Sequence, residues 1–158
     1  MKSILIRLFI ILILPLAFSA CLDDGIDIPD ISGNQPITIE AYLDSFNINA
    51  TQDPSGLYYV VHEAGTGSSP SLSNSITVKY TGKLTNGVQF DSSNGNNVTF
   101  QLNNLIEGWQ IGFQLINIGT KATFYIPPNL GYGTRGIPGT VIGPNAGLIF
   151  DVELVDFQ

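Results

Sequence analysis

Apolar residues follow three patterns along this chain, and each change of pattern marks a new segment. Leu8 to Leu14 is a continuous apolar run. Ile39, Tyr42, Leu43 and Phe46 then fall three and four residues apart, which predicts a short amphipathic helix over about residues 38–46 with Thr38 as its N-cap. Its apolar face needs a partner, either the main domain, on which it would pack back, or another helix in a dimer. From residue 57 the period falls to two, the mark of half-buried strands. Leu57 to His62 is apolar and aromatic, and Ile76, Val78 and Tyr80 alternate with Thr77, Lys79 and Thr81. Asn86-Gly87 is a strong hairpin signal and leads into Val88 to Phe90. Val98, Phe100 and Leu102 alternate again, as do Ala122, Phe124 and Ile126. The last strand carries Leu148, Phe150, Val152 and Leu154, with Asp151 and Glu153 on its other face. Only Trp109, Phe113 and Ile116 return to helical spacing, closed by Asn117 and Gly119, so one helix is predicted over about 107–117.

Between the final two strands, Pro127 to Asn145 holds five Gly and four Pro in nineteen residues. Most connections are about 4–6 residues long, and long ordered ones tend to serve a site. Tyr132, Ile137, Val141 and Ile142 within it predict an ordered loop that folds over something.

The beginning of the chain belongs to a different class. Lys2 and Arg7 precede the apolar run, and Ser19 and Ala20 stand just before Cys21, the layout of a secretory signal over residues 1–20. Arg7 and Pro15 interrupt the run, which falls short of the roughly 20 apolar residues of a spanning helix. After Cys21 come Asp23, Asp24, Asp27 and Asp30 with Gly25, Pro29, Gly33 and Pro36, a composition that cannot build a core. The chain therefore divides into a signal (1–20), an acidic flexible tether (21–36), a helix with its linker (37–54) and one globular domain (55–158).

Composition narrows the function classes. Charged residues make up 12% of the 158 residues, half the usual share of about 25%, so a charge-driven unstructured chain is excluded. The formal charge is −7, and without the first twenty residues four basic and thirteen acidic residues leave −9. Such a chain repels nucleic acid, whose phosphates require clustered Lys and Arg. One Cys and one His supply neither an internal disulfide nor a thiolate or imidazole metal cluster.

Leu16-Ala17-Phe18-Ser19-Ala20-Cys21 resembles the lipobox of bacterial lipoproteins, with Phe18 where an aliphatic residue is usual. The resemblance implies that Cys21 becomes the acylated first residue of the mature chain and attaches it to a membrane of the bacterial cell envelope. An ordinary secretory signal with a bystander Cys is the alternative. The acidic run that follows resembles the surface-export signal of some lipoproteins, and reads equally as a spacer.

In the globular part, Tyr80-Thr81-Gly82-Lys83-Leu84, Gly87 and Phe90-Asp91-Ser92-Ser93 resemble the opening motif of the FKBP-type peptidyl-prolyl isomerases. The likeness continues through Phe100-Gln101-Leu102, Leu105-Ile106-Glu107-Gly108-Trp109 and Gly112. It resumes at Tyr132-Gly133, Arg135-Gly136 and Pro144-Asn145-Ala146, and ends in Leu148-Ile149-Phe150-Asp151-Val152-Glu153-Leu154. It covers about residues 55–158. The fold it implies is α+β, a curved antiparallel sheet, or half-barrel, wrapped around one short α-helix, with the substrate pocket between them.

The same resemblance implies a site. Trp109 forms the pocket floor, and Tyr80, Phe90, Ile106 and Phe150 form its walls, with Leu105 and Ile142 as further apolar contacts. The Tyr132 hydroxyl and the Ile106 N–H hold substrate carbonyls. Asp91 stands at the pocket edge, where it either interacts with the rotating carbonyl or orients Tyr80 through a hydrogen bond. Asp91, Tyr132 and Trp109 thus carry the implied catalysis. Taken singly, Tyr80, Trp109 and Phe150 also fit a plain core, and Asp91 a turn cap; their joint occurrence with a Tyr on a Gly-rich loop is what a core does not call for.

The implied activity is rotation about X–Pro bonds of exported proteins by a monomer. It calls for no cofactor and no metal, and its partners are proline-containing polypeptides and macrolide inhibitors. A non-catalytic chaperone or peptide-binding module on the same fold is the rival expectation. Departures from the family pattern are Val98, where a larger aromatic is common and a wider pocket is expected, Ile137 in place of a polar residue, an extra Thr140, and Gly143 where Pro is usual. The last two imply a looser covering loop.

Overall fold

The computed structural model describes residues 36–158; the signal, Cys21 and the tether up to residue 35 lie outside the described residues. In chain order the elements are α1 (Ile39–Ser45), β1 (Thr51–Gln52), β2 (Tyr58–Glu63), β3 (Ser75–Leu84), β4 (Gln89–Ser92), β5 (Val98–Gln101), α2 (Glu107–Gln114), β6 (Lys121–Ile126) and β7 (Leu148–Phe157). All strand pairs are antiparallel, in the order β1-β2-β6-β7-β3-β4, with β5 paired to the first half of β3.

Two ten-residue strands, β3 and β7, run side by side through the middle of this sheet. Their alternation sends Ile76, Val78, Leu84, Leu148, Phe150, Val152 and Leu154 into the core. On the opposite face Lys79 meets Glu153 at 3.4 Å and Lys83 meets Asp151 at 3.2 Å. These pairs are partly exposed and add little stability, but the charges keep that face in water. The register shifts between Thr77 and Val78, between Gly82 and Lys83, and between Val61 and Glu63. Such bulges increase the local twist and curve the sheet.

The concave side closes over α2. Gly108 and Gly112 face β6, where an added Cβ would lie 2.6 Å from Ile126 and 2.7 Å from the Phe124 ring. The helix therefore sits closer to the sheet than any side chain would allow. Phe113 and Phe124, both fully buried, meet edge to face at 5.3 Å in the space so defined. The helix ends at Gln114, short of the expected 117. The Leu115 N–H turns back to the Gly112 carbonyl, and Gly119, with φ +86°, redirects the chain into β6. Likewise β5 stops at Gln101, and Leu102–Asn104 form a 3₁₀ turn where continued alternation was expected.

The first helix packs back on the domain. Thr38 caps α1 through the Ala41 N–H, and Ile39 and Leu43 cover Tyr125 and Ile149 on the convex face of the sheet. Thr85 donates to the Ile37 carbonyl at 2.8 Å, and Gly147 leaves room for Ile39, whose Cδ1 would be 3.0 Å from a Cβ there. Phe46, expected on the buried stripe, is 63% exposed because α1 has ended and the chain is already turning. It lies against Tyr42 at 4.6 Å. Among the described residues no helix is long and apolar enough to cross a membrane.

Candidate active site

The glycine-rich connection between β6 and β7 is ordered. It contains two 3₁₀ turns, Pro128–Leu130 and Gly133–Arg135. The Asn145 N–H donates to the Gly133 carbonyl at 2.9 Å, and the Ile137 N–H donates to the Ile142 carbonyl at 2.8 Å, so the two limbs of the loop are tied together. This holds Tyr132 over the open end of the half-barrel.

Beneath it lies a cavity of about 280 Å³ lined by Tyr80, Asp91, Phe100, Asn104, Leu105, Ile106, Trp109, Tyr132 and Phe150. Trp109 occupies the first turn of α2 and stands edge to face with Tyr80 at 5.2 Å, with Phe150 at 5.1 Å and with Phe100 at 6.1 Å. Its buried indole N–H has no hydrogen-bond acceptor among the described residues, and aromatic faces are its surroundings. A Cβ at Gly82 would be 2.7 Å from the rings of both Phe90 and Phe150. The bare glycine thus allows Phe150 to form the wall with Phe90 edge to face against it at 5.4 Å.

Polar groups are few and converge. Among the described residues Asp91 is the one carboxylate of the lining. Its Oδ2 accepts the Tyr80 hydroxyl at 2.9 Å and its Oδ1 accepts the Ser92 N–H at 2.8 Å. Strand pairing fixes this geometry, since Gly82 opposes Asp91 in the ladder and the Ser93 N–H donates to the Tyr80 carbonyl at 3.0 Å. Burial, and then the hydrogen bond to Asp91, push the Tyr80 phenol up to about 12. Burial, and then the charge of Asp91, also raise the Tyr132 phenol. Both hydroxyls therefore stay protonated as donors at neutral pH. On the opposite rim the Gln110 side chain donates to the Leu105 carbonyl at 2.7 Å. Ile106, the N-cap of α2, has an N–H without a hydrogen-bond acceptor among the described residues.

Seven of the nine residues implied by the sequence resemblance, Tyr80, Asp91, Leu105, Ile106, Trp109, Tyr132 and Phe150, come together in this lining. Phe90 does not line it and meets Phe150 edge to face. Ile142, expected as a substrate contact, is instead 5% exposed and packed into the main core, where its carbonyl closes the covering loop. Val98 pairs with Val78 outside the lining, and Phe100, two residues on, supplies an aromatic wall. The signal for Phe100 was its place in the Val98-Phe100-Leu102 alternation. Asn104 had none, because a polar residue in a short turn carries no periodicity. Among the described residues no group of three His, Cys, Asp or Glu side chains could hold a metal ion.

An aromatic cleft with two donors unpartnered among the described residues and one hydrogen-bonded carboxylate suits recognition of a neutral, ring-shaped group beside a peptide carbonyl. Comparison with known proteins points the same way. Residues 67–155 match the FKBP-type peptidyl-prolyl cis-trans isomerase family. The chain is 47% identical over 123 residues to the probable FKBP-type peptidyl-prolyl cis-trans isomerase FkpA of Neisseria meningitidis, covering 73% of this chain and 44% of that one. It is 43% identical over 107 residues to the outer membrane protein MIP of Legionella longbeachae, covering 66% and 46%. The chain thus spans less than half the length of these two relatives. The crystal structure of FkpA from Escherichia coli superposes with a TM-score of 0.70 at 40% identity, over 76% of this chain and 57% of that one. By sequence, fold and pocket together, the chain belongs to the FKBP-type peptidyl-prolyl cis-trans isomerase family.

Proposed function

We propose that this chain catalyses cis–trans isomerisation of X–Pro bonds in polypeptide substrates. The observation that carries the reading is the closed aromatic corner made by Tyr80, Trp109 and Phe150, with Asp91, Tyr132 and the Ile106 N–H around its mouth. No bond is broken in this reaction. The barrier of about 18–20 kcal/mol is the resonance of the planar amide, and uncatalysed X–Pro rotation takes tens to hundreds of seconds. Twisting removes that resonance and makes the amide less polar. A water-poor aromatic surface then binds the twisted amide better than the planar one, which is selective stabilisation of the transition state. A millionfold gain corresponds to about 8 kcal/mol.

In this scheme the proline ring rests over Trp109, and Tyr132 and the Ile106 N–H hold the flanking carbonyls while the bond turns. Asp91 serves as a positioning residue. Both of its oxygens are engaged, and the Tyr80 hydroxyl is the group it orients. An NMR exchange or protease-coupled assay on a short X–Pro peptide tests the proposal. Acceleration is expected, and its absence in a folded, peptide-binding protein would favour the non-catalytic module.

The location proposed is the bacterial cell envelope, with acylated Cys21 as the anchor and residues 21–36 as the tether. The lipobox-like segment and the acidic run support it. A relative bearing the name outer membrane protein MIP is in keeping with it. Mass measurement of the mature N-terminus tests the anchor: a triacylated Cys21 is expected, and a free thiol there overturns it. The proposal further includes action as a monomer and macrolide binding in the same pocket.

A further inference from the structure

We propose that Gln110, which does not itself line the pocket, is a positioning residue that fixes the direction of the Ile106 N–H and so its hold on a substrate carbonyl. The inference rests on the isomerase reading above, in which that N–H is one of the donors. Gln110 stands on α2, one residue after Trp109, and its side chain runs back to the turn that precedes the helix. Its Nε2 donates to the Leu105 carbonyl at 2.7 Å and, more weakly, to the Asn103 carbonyl at 3.4 Å. Carbonyls only accept, so the amide nitrogen and not its oxygen must face them. Asn104, Leu105 and Ile106, the residues held by this staple, all line the cavity.

One peptide unit links Gln110 to the pocket. The Leu105 carbonyl and the Ile106 N–H are the two ends of the same planar trans amide, and they point in opposite directions. Pinning the oxygen therefore fixes the direction of the N–H. The neighbouring groups are held by the backbone alone. The Leu105 N–H donates to the Leu102 carbonyl at 3.2 Å, and the Ile106 carbonyl accepts the Trp109 and Gln110 N–H groups at 2.9 and 3.1 Å. Among the described residues the Leu105 carbonyl has no donor except the Gln110 side chain, and the Ile106 N–H has no acceptor. Without Gln110 this one amide plane could swing about the soft torsions on either side of it while its neighbours kept their bonds. A hydrogen bond to the oxygen also polarises the amide and makes its N–H a stronger donor. A carbonyl held equally in the planar and the twisted state is uniform binding, so loss of the staple should appear in KM and not in kcat.

The test uses the full chain, Q110M and Q110K. Met keeps the length and helix propensity of Gln but has no donor, whereas Lys keeps a donor. On a short X–Pro peptide Q110M should lower kcat/KM about fivefold, the scale of one net hydrogen bond. The loss should lie in KM, with kcat within about twofold of native, and Q110K should recover most of it. The NMR shift of the Ile106 N–H on adding the peptide is the readout that a merely structural role would not move, and it should shrink in Q110M. A native KM in Q110M, a loss confined to kcat, an equal loss in Q110K or an undiminished Ile106 shift overturns the inference. If the native chain fails to accelerate rotation, the isomerase reading falls instead. Peptide affinity and the Ile106 shift, compared between native and Q110M, then decide the role of Gln110: weaker values in Q110M support it and equal values overturn it. Should Q110M fold poorly by urea titration, Q110L carries the same comparison.

Discussion

The Tyr80 hydroxyl donates to Asp91 Oδ2 at 2.9 Å, across two strands and eleven residues of sequence. This bond joins the only carboxylate that lines the cavity among the described residues to one of its aromatic walls, and it ties the two strands of the β3–β4 hairpin together at the cavity. Neither residue alone defines the wall: Asp91 without Tyr80 is a surface carboxylate, and Tyr80 without Asp91 is an aromatic with a free rotor.

If Asp91 works through Tyr80, the two substitutions should not add. D91N and Y80F are each expected to lower kcat/KM on a short X–Pro peptide about tenfold, the equivalent of roughly 1.4 kcal/mol. The double variant should lose little more. Additive losses would give Asp91 a role of its own on the substrate. Since Asp91 is exposed, circular dichroism should show D91N folded.

Trp109 is both pocket floor and core, being 4% exposed. W109A should therefore reduce stability by about 3–5 kcal/mol as well as activity, which urea titration and the peptide assay would separate. W109F should recover most of the stability but not the full rate. An unchanged urea midpoint in W109A would show that the floor is not part of the core.

Gly82→Ala places a methyl 2.7 Å from the Phe90 and Phe150 rings, and overpacking of this kind costs about 1–3 kcal/mol. Because Phe150 is a cavity wall, the rate should fall together with stability. Gly112→Ala, 2.7 Å from Phe124 but remote from the mouth, should lower stability with a smaller effect on rate. Equal rate losses would show that Gly82 acts through the core alone.

The pH dependence follows from the phenols. The Tyr80 pKa, about 12 when folded, lies above the ordinary value of 10.0, and that of Tyr132 is also raised. The stability this contributes is complete below about pH 10. As pH rises from 10 towards 12 the unfolded chain releases protons that the folded one retains, and the contribution is lost. Urea midpoints should show that alkaline fall, and Y80F should reduce it. Between pH 6 and 8 the rate should be nearly flat, since the scheme transfers no proton. A steep bell in that range would exclude it.

Ile39 is fully buried, so Ile39→Ala should cost about 2–5 kcal/mol. Thr85→Val, which removes the bond to the Ile37 carbonyl, should cost less. Thermal unfolding of both variants would measure whether α1 belongs to the cooperative unit. Unchanged transitions would make it an ornament.

The sequence by itself determined six of the seven strands, the central helix and the ordered loop, because each rests on local periodicity or on local punctuation by Gly and Pro, whereas the two residues of β1, within the expected linker, are too few to show a period. Seven lining residues came into view only through the resemblance of ordered motifs to a known family, since periodicity alone reads Tyr80, Trp109 and Phe150 as plain core. Tertiary structure decided the rest. Tyr125 and Ile149 sit opposite each other in the β6–β7 ladder, on a face that alternation assigns to solvent, and they are buried only because α1 folds over them. The resemblance implies Ile142 and Phe90 as contact residues, yet loop closure turns one into the core and an edge-to-face contact sets the other against Phe150. Whether the Tyr80 hydroxyl meets the Asp91 carboxylate depended on register across the β3–β4 bulge, a displacement of one residue that no periodicity records. Long-range pairing chooses among faces that local patterns leave equivalent.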